Sequence, residues 1–178
     1  MSLILITGIS TSGKSTIAKE LTKRGYEAYD TEHNGISAWY NKQTGARAAG
    51  FNEMPERTEE WLSQHEWLIS TDWVAEMSEK AKNKPIFLCG GSANEPEIRA
   101  ECQTVIWLET NKETIRKRVS NPRDHDYGTK PHELALAIEA NKRKEAEYSS
   151  YGAIMVDATQ PIGKVVDEIL TKVSSDEH

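Results

Sequence analysis

Residues 8–15 read Gly8-Ile9-Ser10-Thr11-Ser12-Gly13-Lys14-Ser15, and this octapeptide decides the fold. It fits the pattern G-x-x-x-x-G-K-[ST] at every fixed position. Before it, Leu3-Ile4-Leu5-Ile6 is a continuous run of β-prone apolar residues, which suits a strand buried on both faces. After it, Ser15 to Arg24 places Ile17, Ala18 and Leu21 on one helical face and stops at Gly25. Strand, glycine-bearing turn and helix in that order form a Walker A phosphate-binding loop. Backbone N–H groups have to point inward to surround an oxyanion, and glycine permits that conformation. The following helix aims the positive end of its dipole at the same anion. The expected ligand is ATP with magnesium. Lys14 is expected to reach the β and γ phosphates and the Ser15 hydroxyl to hold Mg2+. Gly8, Ser10, Thr11, Ser12, Gly13 and Thr16 complete the expected loop contacts.

Working outward, short apolar strands are expected at Tyr26–Tyr29, Pro85–Leu88, Thr104–Leu108 and Ala153–Val156. Helices are expected at Glu113–Ser120, from Pro131 to about Ser149, and from Pro161 onward through Val165, Val166, Ile169 and Leu170. Alternating strands and helices with nearly continuous apolar strands imply an α/β protein with a parallel sheet covered on both faces. The stretch from about 33 to 83 holds Trp39, Trp61, Trp67 and Trp73 among acidic residues. Helical segments are expected there near Thr58–Ile69 and Asp72–Lys82. Asn34-Gly35, Gly45 and Gly50 punctuate loop or short helix before them. Asn121–Lys130 (NPRDHDYGTK) is a polar, turn-rich loop.

The chain of 178 residues suits one domain with a real hydrophobic core. Its net charge of −6 gives no global basic field for nucleic acid or an anionic membrane, and no apolar run approaches membrane length. Cys89 and Cys102 match no metal or redox spacing and sit beside apolar runs. Buried, inert thiols and a reducing, cytoplasmic setting are the expectation. No nucleic-acid or membrane partner is expected, and the chain is expected to be a monomer or homodimer.

Several residues outside the loop carry chemistry. Asp30 and Glu32 follow the second strand, and ligands of an open α/β sheet collect at the carboxyl ends of its strands. A carboxylate there orients an acceptor hydroxyl, takes its proton, or holds magnesium through water. Gly90 and Gly91 end the third strand and let a substrate approach the backbone; the plain alternative is a tight turn. Ser92 and Asn94 either contact ligand or cap the helix near Glu95, with capping preferred. Arg116, Arg118 and Arg123 stand before and within the polar loop, where guanidinium groups neutralise a transferring phosphoryl group. Arg116 and Arg118 are two residues apart on a helix and cannot share a face; Arg118 and Arg123 are the expected pair. Arg47 and Arg57 are candidates for an anionic acceptor. The tryptophans form either a stacking acceptor pocket or core, with core preferred. Asn141, Arg143 and Lys144 are expected on a solvated face.

Taken in order, the phosphate loop, Asp30, the Gly-Gly turn and the arginine-bearing loop resemble the P-loop small-molecule and nucleotide kinases, the group that contains adenylate, shikimate and gluconate kinases. The resemblance spans nearly the whole chain. It implies that Asp30-Thr31-Glu32 stands where shikimate kinase keeps an acidic pair for acceptor and magnesium, and that Cys89-Gly90-Gly91 stands at its glycine turn. Asn121–Lys130 would be a short lid with Arg123 in the lid-arginine place, and Asp157–Pro161 would frame the adenine through Ala158, Thr159 and Gln160. The implied fold is a three-layer αβα P-loop domain over residues 1–178, a five-stranded parallel sheet in order 2-3-1-4-5, an acceptor region at about 33–83 and a lid at about 121–130. Two departures stand out: Ser92 replaces the third glycine of the turn, and Glu32 replaces an aspartate.

The expected activity is ATP-dependent phosphotransfer to a small-molecule acceptor, a nucleoside or nucleotide or else a sugar-like or acidic metabolite. Lys14, Asp30, Arg118 and Arg123 would be catalytic. Asp30, Glu32, Arg57, Gly90 and Gly91 would bind substrate, and Ser15 and Asp30 would serve the metal. The alternative is a nucleotide-binding ATPase acting as a resistance or regulatory protein with no such acceptor. A nucleic-acid end kinase fits the net charge poorly.

Overall fold

The computed structural model describes residues 2–53, 56, 58–119 and 131–176; the expected lid at 121–130 lies outside them. In chain order the elements are β1 (Leu3–Thr7), α1 (Lys14–Lys23), β2 (Glu27–Asp30), β3 (Ser37–Asn41), β4 (Arg47–Gly50) and a single 3-10 turn at Phe51–Glu53. They continue with α2 (Glu59–Gln64), β5 (His65–Ile69), α3 (Thr71–Lys80), β6 (Ile86–Cys89), α4 (Glu95–Glu101) and β7 (Thr104–Glu109). Last come α5 (Lys112–Val119), α6 (Pro131–Tyr151), β8 (Ile154–Asp157) and α7 (Ile162–Asp176).

Five strands form one parallel sheet in the order β2-β6-β1-β7-β8. Counting only its own strands, this is 2-3-1-4-5, as expected. Leu5 of the central strand pairs with Leu88 on one side and Val105 on the other. All five residues of β1 are buried, because α1 and α7 cover one face of the sheet and α3, α4 and α6 the other. Ile4 and Ile6 face the first layer with Ile17, Leu21, Val166 and Ile169. Leu3 and Leu5 face the second with Val74, Met77, Ile98 and Tyr148. Each such fully buried side chain contributes roughly 1.5–3 kcal/mol. The strands end together on one edge, at Thr7, Asp30, Cys89, Glu109 and Asp157, and β1 lies at the point where the strand order reverses. That edge is where a ligand site forms in such sheets.

A second, three-stranded antiparallel sheet, β4-β3-β5, stands at this edge. It corrects the expectation of loop and helix between 33 and 69. Thr58 does cap a helix, its hydroxyl accepting from the Trp61 N–H, but α2 ends at Gln64 and the chain continues extended from His65 to Ile69. Trp39 of β3 lies opposite Trp67 of β5. Their rings meet edge to face at 5.5 Å, and Trp61 of α2 closes on Trp39 at 5.1 Å. These cross-strand aromatic contacts favour the pleated arrangement over a helix. The tryptophans therefore pack on one another, and Trp73 packs on Tyr29. The last helix, α7, continues through Val173 to Asp176.

Asn94 joins the two sheets. Its side-chain amide donates to the Ile69 carbonyl at 2.9 Å and its side-chain oxygen accepts from the Ile69 N–H at 3.1 Å. It makes no side-chain cap bond to α4, contrary to its expected role. The Ala93 N–H also donates to the Trp67 carbonyl. The two cysteines are free and buried, as expected. Burial pushes both thiols up, Cys102 to about 12. Among the described residues no helix is long and apolar enough to cross a membrane.

Candidate active site

The octapeptide forms the turn between β1 and α1. Gly13 has φ 104 and Thr11 has φ 81, so two residues of the loop take the left-handed conformation that turns backbone N–H groups inward. Gly8 is required for a different reason: a Cβ there would lie 2.7 Å from Ser12 Oγ. Lys14 Nζ donates to the carbonyls of Gly8 at 2.8 Å and Ile9 at 2.7 Å, folding the ammonium over the loop. Burial lowers its pKa, against the opposing pull of Glu32, Glu95 and Asp30. The Thr11 and Ser12 hydroxyls are buried with no hydrogen-bond partner, and such groups within a loop of inward N–H donors suit an oxyanion.

Asp30 ends β2 beside this loop. Its Oδ1 accepts from the N–H groups of Glu32 at 3.0 Å and His33 at 3.2 Å, and its Oδ2 lies 2.8 Å from His33 Nδ1. Burial raises its pKa, but hydrogen bonds from the Ser15 hydroxyl and from the His33 backbone and ring outweigh that and leave it below the ordinary carboxylate value. Asp30 is therefore an anion bonded to the loop serine. An ionised carboxylate and a hydroxyl in contact are hard oxygen donors of the kind magnesium takes. Among the described residues no cluster of three or more His, Cys, Asp or Glu forms a ready-made metal cage.

A cleft of about 800 Å3 opens above the strand ends. The expected loop residues Gly8 and Ser10 to Thr16 line it, with Glu32, Gly91, Arg118, Ala158 and Gln160. Asp30, Gly90 and Thr159 stand behind the wall. A Cβ on Gly90 would collide with Thr31 Oγ1, so this glycine is needed for packing against the segment after β2. Thr159 turns its hydroxyl onto Asp157 at 2.6 Å. Arg118 donates to the carbonyls of Thr11 at 3.1 Å, Ser12 at 2.9 Å, and Ala158. One guanidinium thus ties the phosphate loop to the loop after β8. Arg57 and Arg123 lie outside the described residues. Arg47 pairs with Glu53 at 3.0 Å on an exposed surface.

Other cleft residues, His33, Phe51, Glu95 and Lys144 among them, carried no functional expectation. His33 and Phe51 form one wall, their rings 4.8 Å apart. Glu95 and Lys144 form another, 3.2 Å apart. The sequence placed Lys144 and Asn141 on a solvated face; the fold turns both inward. Asn141 is buried, and its amide donates to the Thr110 carbonyl at 3.0 Å. A buried acid at the start of α4 and a lysine two helices later have no shared sequence spacing to reveal them. Only the shape of the cleft brings them together.

The AAA domain family matches residues 4–148, and the chain belongs to that family. No curated protein matches the sequence. Its fold is that of the P-loop small-molecule kinases. Shikimate kinase from Aquifex aeolicus superposes with a TM-score of 0.63 at 20% identity, covering 98% of each chain. Deoxyadenosine kinase from M. mycoides gives 0.56 at 16% identity, covering 97% of this chain and 99% of that one. A gluconokinase from Sinorhizobium meliloti gives 0.52 at 18% identity, covering 97% and 91%.

Proposed function

We propose that the protein transfers the γ-phosphoryl group of ATP to a hydroxyl of a small-molecule acceptor. A nucleoside or nucleotide, or a sugar-like or acidic metabolite, is the class of acceptor. The observation that carries this reading is one continuous cleft lined both by the phosphate loop and by the His33–Phe51 and Gly91–Glu95 walls. Its volume, about 800 Å3, leaves room for a second ligand beside a nucleotide. A kinase needs two adjacent sites in one enclosure; a simple nucleotide switch needs one. The folds of shikimate kinase, deoxyadenosine kinase and gluconokinase support the same class.

The residues present fit magnesium ATP. The inward loop, its unpartnered Thr11 and Ser12 hydroxyls and Lys14 Nζ suit the triphosphate, and Ser15 with Asp30 suits the metal. Magnesium, when bound there, would neutralise charge on the β and γ oxygens. Lys14 exchanges its loop carbonyls for the same oxygens. Once the His33 ring moves off its Oδ2, ionised Asp30 orients the acceptor hydroxyl and takes its proton as the new O–P bond forms and the bond to the β-phosphate oxygen breaks, releasing ADP. Arg118 holds the loop and the expected adenine-framing segment in one piece, and Arg123 is expected to close over the transferring group from the lid.

The test is ADP release from magnesium ATP across a panel of nucleosides, nucleotides, sugars and hydroxy acids. At least one acceptor should raise the rate tenfold or more above basal hydrolysis. If none does, the phosphotransferase reading fails and an acceptor-independent ATPase stands instead.

A further inference from the structure

We propose that the Glu95–Lys144 ion pair sets acceptor specificity, and that it selects an uncharged, hydroxyl-bearing acceptor over an anionic one. The proposal rests on reading this cleft as an acceptor site. Glu95, the first residue of α4, is buried, yet it lines the cleft. Its Oε1 accepts from Thr7 Oγ1 at 3.1 Å, and its Oε2 lies 3.2 Å from Lys144 Nζ. Lys144 also lies 3.2 Å from Glu147 Oε2, and Glu147 Oε1 receives Arg99 Nη1 at 3.1 Å. Two carboxylates and two cations make a closed, neutral set anchored on Tyr148, whose ring carries Arg99 at 4.8 Å.

Among the described cleft residues the Lys and Arg side chains are Lys14, Lys19, Arg118 and Lys144. Lys14 and Arg118 are held on phosphate-loop carbonyls, and Lys19 belongs to α1. Lys144 is the cation on the glycine-turn side, and it is neutralised. An acceptor carboxylate or phosphate placed there has to draw Lys144 from two glutamates and then sit beside the Glu95 carboxylate, an uncompensated like charge in a partly desolvated site. A hydroxyl avoids both costs. It donates to Glu95 Oε and accepts from Lys144 Nζ while the pair stays intact. Gly91 leaves the approach clear, because even a Cβ there would lie 3.5 Å from Glu95 Oε1. On the facing wall the Phe51 ring offers an apolar surface for a ring's C–H face.

The experiment uses two matched probe pairs, adenosine with adenosine monophosphate and glucose with gluconate. Binding is measured by calorimetry on the full chain saturated with magnesium ADP, and ADP release is measured separately with ATP. In at least one pair the neutral member should bind ten times more tightly than the anionic one. Glu95→Gln should move that ratio at least tenfold toward the anion, and Lys144→Met should move it the other way. A purely structural role for the pair leaves the ratio unchanged, so loss of stability does not mimic the result. Lys144→Met, at a part-exposed position, carries the test if Glu95→Gln folds poorly. Tighter binding of the anionic member to the unaltered protein, a ratio unmoved in the variants, or no binding of either neutral probe overturns the proposal. The expected ratios without any ADP release would overturn the phosphotransfer reading and leave the specificity assignment standing. Turnover of an acceptor with an unmoved ratio would do the reverse.

Discussion

The parallel and antiparallel sheets are joined through Asn94 but are built on opposite terms. The parallel sheet is sealed between two helical layers, and its central strand is wholly buried. The antiparallel sheet is half-buried, four to five residues long in each strand, and held by a cluster of three tryptophans and the Asn94 bridge. The first fixes the phosphate loop, Asp30 and Arg118 against one another. The second stands beside the His33–Phe51 wall. Precise positioning is needed where charge moves, and the rigid layer supplies it. The proposed acceptor-selecting pair, Glu95 and Lys144, sits on α4 and α6 of that same layer, while the satellite sheet only backs the His33–Phe51 wall.

If that division is right, the largest losses come from the rigid side. Lys14→Ala should abolish detectable ATP binding in calorimetry and lower turnover by roughly a thousandfold, with the fold intact by circular dichroism. Asp30→Asn should reduce kcat by about a hundredfold while ATP affinity stays within about threefold. Hydrogen bonds hold the Asp30 carboxyl below its ordinary range, so the acid limb of the kcat/KM profile should lie below the usual carboxylate range and be absent in the variant. Retained turnover in Asp30→Asn would show that the carboxylate only caps the turn after β2.

Smaller effects probe the satellite. Asn94→Ala leaves the Ile69 N–H and C=O without their bridge and should destabilise the chain by about 1–3 kcal/mol. Hydrogen exchange should then quicken in β3 and β5 while β1 stays protected; equal quickening in both sheets would mean that they unfold as one unit. Smallest is Glu27→Gln at the outer edge of the parallel sheet. Lys84 at 2.6 Å, Tyr29 at 2.8 Å and Lys80 at 3.3 Å lower the Glu27 pKa to about 2. A depressed carboxyl adds stability above its unfolded value, and that stability is lost as pH falls through about 2. Both lysines are more than half exposed, so screening holds the effect to under about 1 kcal/mol. Melting temperatures of the two proteins should differ at pH 7 and converge near pH 2.

The parallel sheet was legible in the sequence because its strands announce themselves. Leu3–Ile6 admits no amphipathic reading, and the octapeptide after it fixes strand, turn and helix at once. Residues 58–69 were not legible beyond Gln64. Thr58 is a true helix cap, and a five-residue half-buried strand beginning at His65 carries too few residues to separate a period of two from one of 3.6. Pairing with Trp39 decides it, and that contact spans 28 residues of sequence. Asp30 and Arg118 were foreseeable from their place after a strand and on a helix facing the loop. Glu95 and Lys144 were not, because burial of a charge follows from a partner 49 residues away. Asn94 was misplaced for the same reason: its type suits a helix cap, but its bond goes to another sheet.

The most direct test of the account follows a labelled γ-phosphoryl group from ATP, in the presence of the best acceptor found by ADP release, with the products resolved by mass spectrometry. The account predicts that the label appears on an acceptor hydroxyl in equal amount to the ADP formed, and that Lys14→Ala lowers both by roughly a thousandfold. Label recovered only as inorganic phosphate would contradict it.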